Sequence, residues 1–443
     1  MPKPGQTSFW LLVAGIGLCV SQSSRAAPFT EDGPAHPYEG GLAAEISGLD
    51  PNDPPETRIE LTPSLNFGGQ LEIEHALQTN LALDDAADDD FHALEPGVSL
   101  AFSFDPNRYL QAFLDVTLSE ELILEDPDQD QDLIKLESEQ AYILLKNLAN
   151  DRLALQLGRQ RFEDERQWLY DEELDAVRAF FQFSRFLVEL SASQGGLVDR
   201  DLLNDDEEEQ TNNYIAYGSY AIAEELNAEA YVVVRDDRSV EEDNPVLFGI
   251  HSGGEVTDAL EYWLEAAYAR GTDGSAEVEG YGFDLGSKFE FDLPLAPSIT
   301  FGYAFGTGDS DPDDDVDRSF RQTGLQNNED DFKYYGELFD PELSNLAIFT
   351  VGAGTTPTEQ SFVDLVYHDY RQHKAAESLR DAGIDADPDG KSKDLGSELD
   401  LILGYEGRRL EFALNLGYFM PGQAFAPRSE PSFLARFEAQ FGF

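Results

Sequence analysis

Apolar and polar residues alternate with a period of two along most of the chain, the signature of β-strands with one wet and one dry face. In Leu71-Glu72-Ile73-Glu74 the odd positions are apolar and the even ones charged. Val98, Leu100, Phe102 and Phe104 form one face, and Leu110, Ala112, Leu114, Val116 and Leu118 repeat the pattern beyond the Asp105-Pro106-Asn107 turn. Eighteen such segments are predicted, at about 66–79, 95–104, 108–118, 134–146, 152–162, 174–183, 186–194, 211–222 and 228–235. The others lie at about 246–254, 258–270, 277–292, 298–307, 345–354, 360–370, 397–406, 408–419 and 431–443. The second face of each is rich in Gly, Ser, Thr, Asn and Glu, too polar for the core of a soluble sandwich.

The connections sharpen this. Even-numbered segments are followed by short turns (105–107, 148–151, 184–185, 223–227, 294–297). Odd-numbered ones often lead into longer, acidic loops (80–94, 119–133, 195–210, 308–344, 371–396). Short turns at one rim and long loops at the other are the layout of a bacterial outer-membrane barrel. The expected fold is therefore all-β, an 18-stranded antiparallel transmembrane β-barrel, monomeric, in the bacterial cell outer membrane. The last segment places Phe433, Phe437, Phe441 and the terminal Phe443 on one face, which resembles the signal that the barrel-assembly machinery reads.

The N-terminus fits export. Lys3, the apolar run Phe9 to Val20 and Ser24-Arg25-Ala26 form a secretory signal over residues 1–26, too short to span a bilayer. Residues 27–56, rich in Pro, Asp and Glu, are expected to be a flexible periplasmic tail, and 57–443 the barrel. The sole cysteine, Cys19, lies in the signal, which excludes disulfide and thiol chemistry from the mature chain. Removing Lys3 and Arg25 with the signal takes the formal charge from −59 to −61. That charge argues against nucleic acid as a partner, and the chain suits a salty medium, where screening shortens.

A barrel of this size leaves an aqueous interior unless loops fill it. The alternation places Lys135, Arg178, Arg235, Lys288, Arg409 and Arg436 inward. The acids placed inward are more numerous and include Glu72, Asp115, Glu139, Glu189, Glu265, Glu398 and Asp400. Taken alone, this predicts a non-selective or mildly cation-preferring pore.

Two segments depart from that picture. Gly158-Arg159-Gln160-Arg161-Phe162, running on through Arg166, Trp168, Asp171 and Asp175 to Arg178, concentrates four arginines where a strand leaves the membrane and returns. Phe320-Arg321-Gln322-Thr323-Gly324-Leu325-Gln326 and Lys333-Tyr334-Tyr335-Gly336-Glu337 lie in the longest loop, long enough to fold into the channel. Both resemble segments of the alginate export porins, outer-membrane channels that secrete alginate through an 18-stranded monomeric barrel. The resemblance spans residues 60 to 443. It implies a constriction that attracts a polyuronate chain, with Arg159, Arg161, Arg166, Arg178, Arg321 and Lys333 as its cations and Asp171 and Asp175 holding them in place. Guanidinium forks suit carboxylates, and several weak sites in a row permit conduction. Arg159 and Arg161 nonetheless share the outward phase of Leu153, Leu155 and Leu157 unless a bulge at Gly158 shifts it. The family also implies partners: alginate or a related polyuronate, outer-membrane lipids, and a periplasmic secretion complex with a helical-repeat scaffold lipoprotein.

No cofactor is expected. The Asp-rich loops Asp126 to Asp132 and Asp309 to Asp317 carry oxygen ligands of the kind Ca²⁺ takes, but lack EF-hand spacing and read as solvated loops. The histidines are scattered, with no Gly-x-Ser-x-Gly element, so an enzyme is not expected. The rival to an export channel is a general diffusion porin for small solutes.

Overall fold

The computed structural model describes residues 59–443 apart from 85–86, 88, 126–132, 165, 167, 196, 199, 205–210, 224–225, 239–242, 258, 311–313 and 327–332. The expected signal, the tail and the Asp126–Asp132 loop lie outside the described residues.

Eighteen strands form one antiparallel barrel. They are β1 Leu65–Thr79, β2 Phe91–Asn107, β3 Leu110–Glu125, β4 (in two pieces, Leu133–Glu137 and Ala141–Asn147), β5 Leu153–Glu163 and β6 Asp171–Phe183. Next come β7 Phe186–Gln194, β8 Thr211–Ala223, β9 Leu226–Asp237, β10 Asp243–Thr257, β11 Leu260–Asp273 and β12 Ala276–Glu290. The rest are β13 Ser298–Gly306, β14 Leu346–Thr358, β15 Ser361–Gln372, β16 Asp394–Glu406, β17 Leu410–Pro421 and β18 Ser432–Gly442. The barrel closes where β18 pairs with β1, from Gln70↔Gly442 to Thr79↔Phe433. Closure gives every strand a neighbour on both sides, the condition for a sheet to cross a bilayer. Ile59–Thr62 adds a short strand folded back on β1.

Each predicted segment overlies one strand. Several strands run farther at the long-loop rim than their apolar pattern: β3 continues to Glu125 and β6 begins at Asp171. Ladder hydrogen bonds need no apolar side chain, so pairing persists above the bilayer where the alternation has turned acidic. One connection breaks the long-loop rhythm, the tight hairpin at 274–275 between β11 and β12.

The alternation sets the two faces. Leu114, Ile143, Val177, Ile250, Phe301 and Leu365 stand exposed on the outer face, a belt for lipid tails. Tyr109, Phe183, Phe186, Tyr220 and Phe412 ring its short-turn edge, and Tyr214, Tyr268, Tyr281 and Tyr418 the other, as aromatic girdles do at bilayer interfaces. The molecule is an outer-membrane barrel, its long loops extracellular and its short turns periplasmic.

The interior is not empty. The described residues of the 307–345 loop fold inward, burying Phe320, Leu325, Leu338, Phe339 and Leu343 against the inner wall. Inner-face glycines make room: a Cβ on Gly280 would lie 2.5 Å from the Ser319 carbonyl oxygen, and one on Gly282 2.6 Å from the Phe320 ring.

Candidate pore constriction

The two segments singled out in the sequence pack against each other. Trp168 stacks on Phe320 with ring centroids 5.7 Å apart. The amide of Gln322 donates to the Trp168 carbonyl at 3.3 Å, and that of Gln326 donates to the same oxygen at 2.9 Å. The Thr323 hydroxyl donates to the Leu169 carbonyl, and the Asp171 N–H to the Leu325 carbonyl at 2.8 Å. Gln322 also holds its own loop, accepting from the Leu343 N–H at 2.7 Å. Its buried amide thus meets buried carbonyls and N–H groups that no ladder serves.

The 164–170 turn that offers those carbonyls is organised by Asp164, which accepts from the N–H groups of Trp168, Leu169 and Tyr170 at 3.1, 2.7 and 2.8 Å. Burial pushes its carboxyl above the ordinary range, and these three donors pull the other way.

Every candidate cation has an acidic partner. Arg166 reaches Asp284 at 3.2 Å with its guanidinium between two rings, 4.0 Å from the Trp263 centroid and 4.2 Å from that of Tyr334. Asp284 also accepts from Trp263 at 2.9 Å and from the Tyr335 hydroxyl at 3.1 Å. Arg178 forks onto Glu189 at 2.9 and 3.0 Å and covers the Phe162 ring. Arg321 is buried against Asp317 and, at 3.1 Å, Asp273. Lys333 pairs with Asp340 at 3.0 Å.

Arg159 and Arg161 stand elsewhere. The β5–β6 register runs unbroken from Leu153↔Phe181 through Gly158↔Ala176 to Glu163↔Asp171, so both keep the outward phase despite the positive φ of Gly158. They lie above the lipid belt. Arg159 meets Asp175 at 3.1 Å, and Arg161 meets Asp171 at 3.1 Å and Glu163 at 3.2 Å. Beyond the Ala141↔Arg159 pair, β4 and β5 part, and the segment after β7 enters the seam. There Leu202 N–H donates to the Leu136 carbonyl at 2.8 Å, and Arg200 joins Glu137 and Glu139. Arg159 bridges the seam, donating to the carbonyls of Ser138 and Val198.

Sequence reasoning put Glu398 on the inner face and Glu337 in the long loop, but gave neither a part in holding that loop. Glu398 on β16 accepts the N–H groups of Leu338 and Phe339 at 2.7 and 2.9 Å. Glu337, in the loop, is met by Asn415 at 2.9 Å and Arg436 at 3.3 Å. Burial raises its carboxyl, with Arg436 the strongest opposing influence. The inner-face glycines opposite aromatic outward residues were the available signal. A cavity of about 100 Å³ remains between the turn and the loop, lined by Arg166, Gln322, Gln326, Tyr334, Tyr335 and Glu342 among others.

The model of a family described as alginate export matches residues 64–436. The chain belongs to the alginate export family. Two curated relatives, both described as alginate production protein AlgE, are 32% identical to it over short stretches. The one from Pseudomonas aeruginosa matches over 136 residues, 29% of this chain and 27% of that protein; the one from Azotobacter vinelandii over 152 residues, 30% and 31%. The matched stretches thus span under a third of those relatives. Among solved structures, OccK8 (OprE) of Pseudomonas aeruginosa shares 12% identity at a TM-score of 0.57, covering 86% of this chain and 98% of that one. OccAB4 of Acinetobacter baumannii shares 11% at 0.57, covering 87% and 100%. At such identity the likeness concerns the fold. The alginate export family is a family of outer-membrane barrels and not one of enzymes.

Proposed function

We propose that this chain is the outer-membrane channel through which an anionic polysaccharide, alginate or a related polyuronate, leaves the cell. The observation that carries the reading is the family match across nearly the whole barrel. It is supported by the packing of the 164–170 turn, which carries Arg166, against the inserted loop, which carries Arg321 and Lys333, within a barrel whose inner wall carries Arg178. These four are the candidates for transient contact with uronate carboxylates, while Arg159 and Arg161, held by Asp175 and Asp171, shape the rim above them. Because each cation already has a carboxylate partner, a passing uronate would exchange with that partner. Binding is then favourable but readily reversed, as conduction requires. Passage would be passive, with the polymer delivered by a periplasmic secretion complex that includes a helical-repeat scaffold lipoprotein.

The acidic lumen and the porin-like fold of the solved neighbours favour a second reading, a general diffusion porin. Reversal potential across a salt gradient, recorded on single channels with added oligo-mannuronate, separates the two. Anion preference and block by the oligomer, weakened in Arg166→Ala, are expected. Cation preference without block would assign the chain to general diffusion.

A further inference from the structure

The periplasmic rim is divided by charge. Going round the barrel, the turns between β16 and β17, β2 and β3, β4 and β5, and β6 and β7 follow one another, interrupted only by the β18–β1 closure. They and the strand ends beside them carry Arg408, Arg409, Arg108, Lys146, Arg152 and Arg185. Lys146 is tied to Asp105 at 2.9 Å. Among the described residues, none of Arg108, Arg152, Arg185 and Arg409 is joined to a carboxylate, and all four are exposed. Arg409, inward by sequence phase, sits instead in the turn before β17, because β17 begins only at Leu410. The acids of this arc are Asp105, Asp151, Glu60, Glu406 and Glu411, the last facing Glu406 across the β16–β17 ladder. The remaining turns, from β8–β9 round to β14–β15, hold Glu290, Asp292 and Glu359 on described residues and Glu224, Glu225 and Asp258 in sequence, with Lys288 near the mouth. In a chain of net charge −59, six cations gathered on one arc are not what an even spread would give.

We infer that this basic arc is the docking edge where a polyanion arriving from the periplasm first meets the channel, the acidic arc steering it to that side. The inference rests on the export reading for the polymer's identity, but on the rim itself for its charge. Arg152, Arg185 and Arg409 have no carboxylate partner to give up, and Arg108 has only the Tyr109 ring and hydroxyl in contact, whereas the paired cations inside must first exchange. A cluster of exposed cations raises the capture rate of a polyanion even beside acids, and salt abolishes the gain. The arc thus accounts for how a strongly acidic barrel could admit an acidic polymer at all.

The test is sided block of single channels formed by the full chain. The described residues hold no cysteine, so Ser275→Cys in the extracellular hairpin, labelled from one chamber, reports the orientation. Oligo-mannuronate added at the periplasmic side is expected to block wild type with an on-rate that falls about ten-fold in R108Q/R152Q/R185Q/R409Q. Addition from outside should show no change, the four Arg→Lys replacements should restore the rate, and 1 M salt should erase the difference. An unchanged periplasmic on-rate would overturn the inference and assign the arc to phospholipid headgroups or a protein partner. If oligo-mannuronate blocks wild type from neither side, the export reading falls instead. Oligoglutamate of equal charge, run identically, then decides the arc alone: dependence on the four arginines upholds it, independence overturns it.

Discussion

The inner wall from β11 to β17 and the inner wall from β1 to β4 follow the same rule of small and polar residues facing in, yet end differently. On the first, glycines at 280, 282 and 417 leave hollows into which Phe320 and Leu338 pack, and Asp284 and Glu398 receive polar groups from the inserted elements. On the second, the hollow at Gly97 is already filled by the side chain of Glu72, and a Cβ there would lie 2.2 Å from its carboxylate. That wall presents Glu72, Glu95, Asp115, Glu121, Glu137 and Glu139, answered by Lys135 and Arg200. An inward polar face therefore does not fix whether a wall lines water or carries a plug. What decides is whether its glycines are vacant and its carboxylates have N–H groups to accept.

The broadest way to break this contrast is to remove the plug. Replacing residues 320–343 by a short flexible linker should raise single-channel conductance about two- to three-fold, since a barrel of this strand number is otherwise an open aqueous channel. The acidic β1–β4 wall would then dominate, and the reversal potential should move toward cation preference. Unchanged conductance would mean that the current already bypasses the loop.

Next in size is Arg166→Ala. It strips the cation from between Trp263 and Tyr334 and leaves Asp284 buried with only neutral donors. Truncating one partner of a buried ion pair typically costs about 3–5 kcal/mol. The expected readout is loss of anion selectivity together with faster protease cleavage of the 307–345 loop. Retained selectivity would show that Arg166 only braces the plug.

A smaller effect is expected from Glu398→Gln. The single amide oxygen can accept from only one of the Leu338 and Phe339 N–H groups, which Glu398 receives on separate oxygens, so about 1–3 kcal/mol of loop anchoring is lost. Current noise should rise from brief loop departures, while mean conductance and selectivity stay near wild type. A quiet trace would place the anchoring elsewhere, with the stacked Phe339 and Phe419 rings as the next candidates.

These sites were unequally legible. Lipid on one side and water on the other impose a period of two, so the strands and the inward position of Glu398, Asp400 and Arg436 followed from alternation alone. The partners of those residues did not. Leu338 and Phe339 reach Glu398 across some sixty positions of chain, and nothing local to either segment encodes that meeting. The Gln322 and Gln326 amides show the same limit. They are ordinary loop residues until the Trp168 carbonyl lies against them. Family resemblance marked both segments, but only the fold shows that they touch.

The smallest change sharpens the comparison at the seam between β4 and β5. Arg159 donates to two carbonyls and to Asp175 across a gap that the 197–204 segment fills. Its outward phase separates it from the plug, so the seam should respond on its own. Arg159→Lys keeps the charge, and the pair with Asp175 can persist, but an ammonium cannot span all three acceptors with the geometry of a guanidinium fork. A loss of about 1 kcal/mol is expected, the worth of one ordinary hydrogen bond. It should appear as faster chymotrypsin cleavage beside the exposed Leu197, Leu202 and Leu203, with conductance and selectivity unchanged. A shift in selectivity from this substitution would mean that the rim pair communicates with the lumen after all. The split between a wall-closing motif and a pore-filling one would then have to be redrawn.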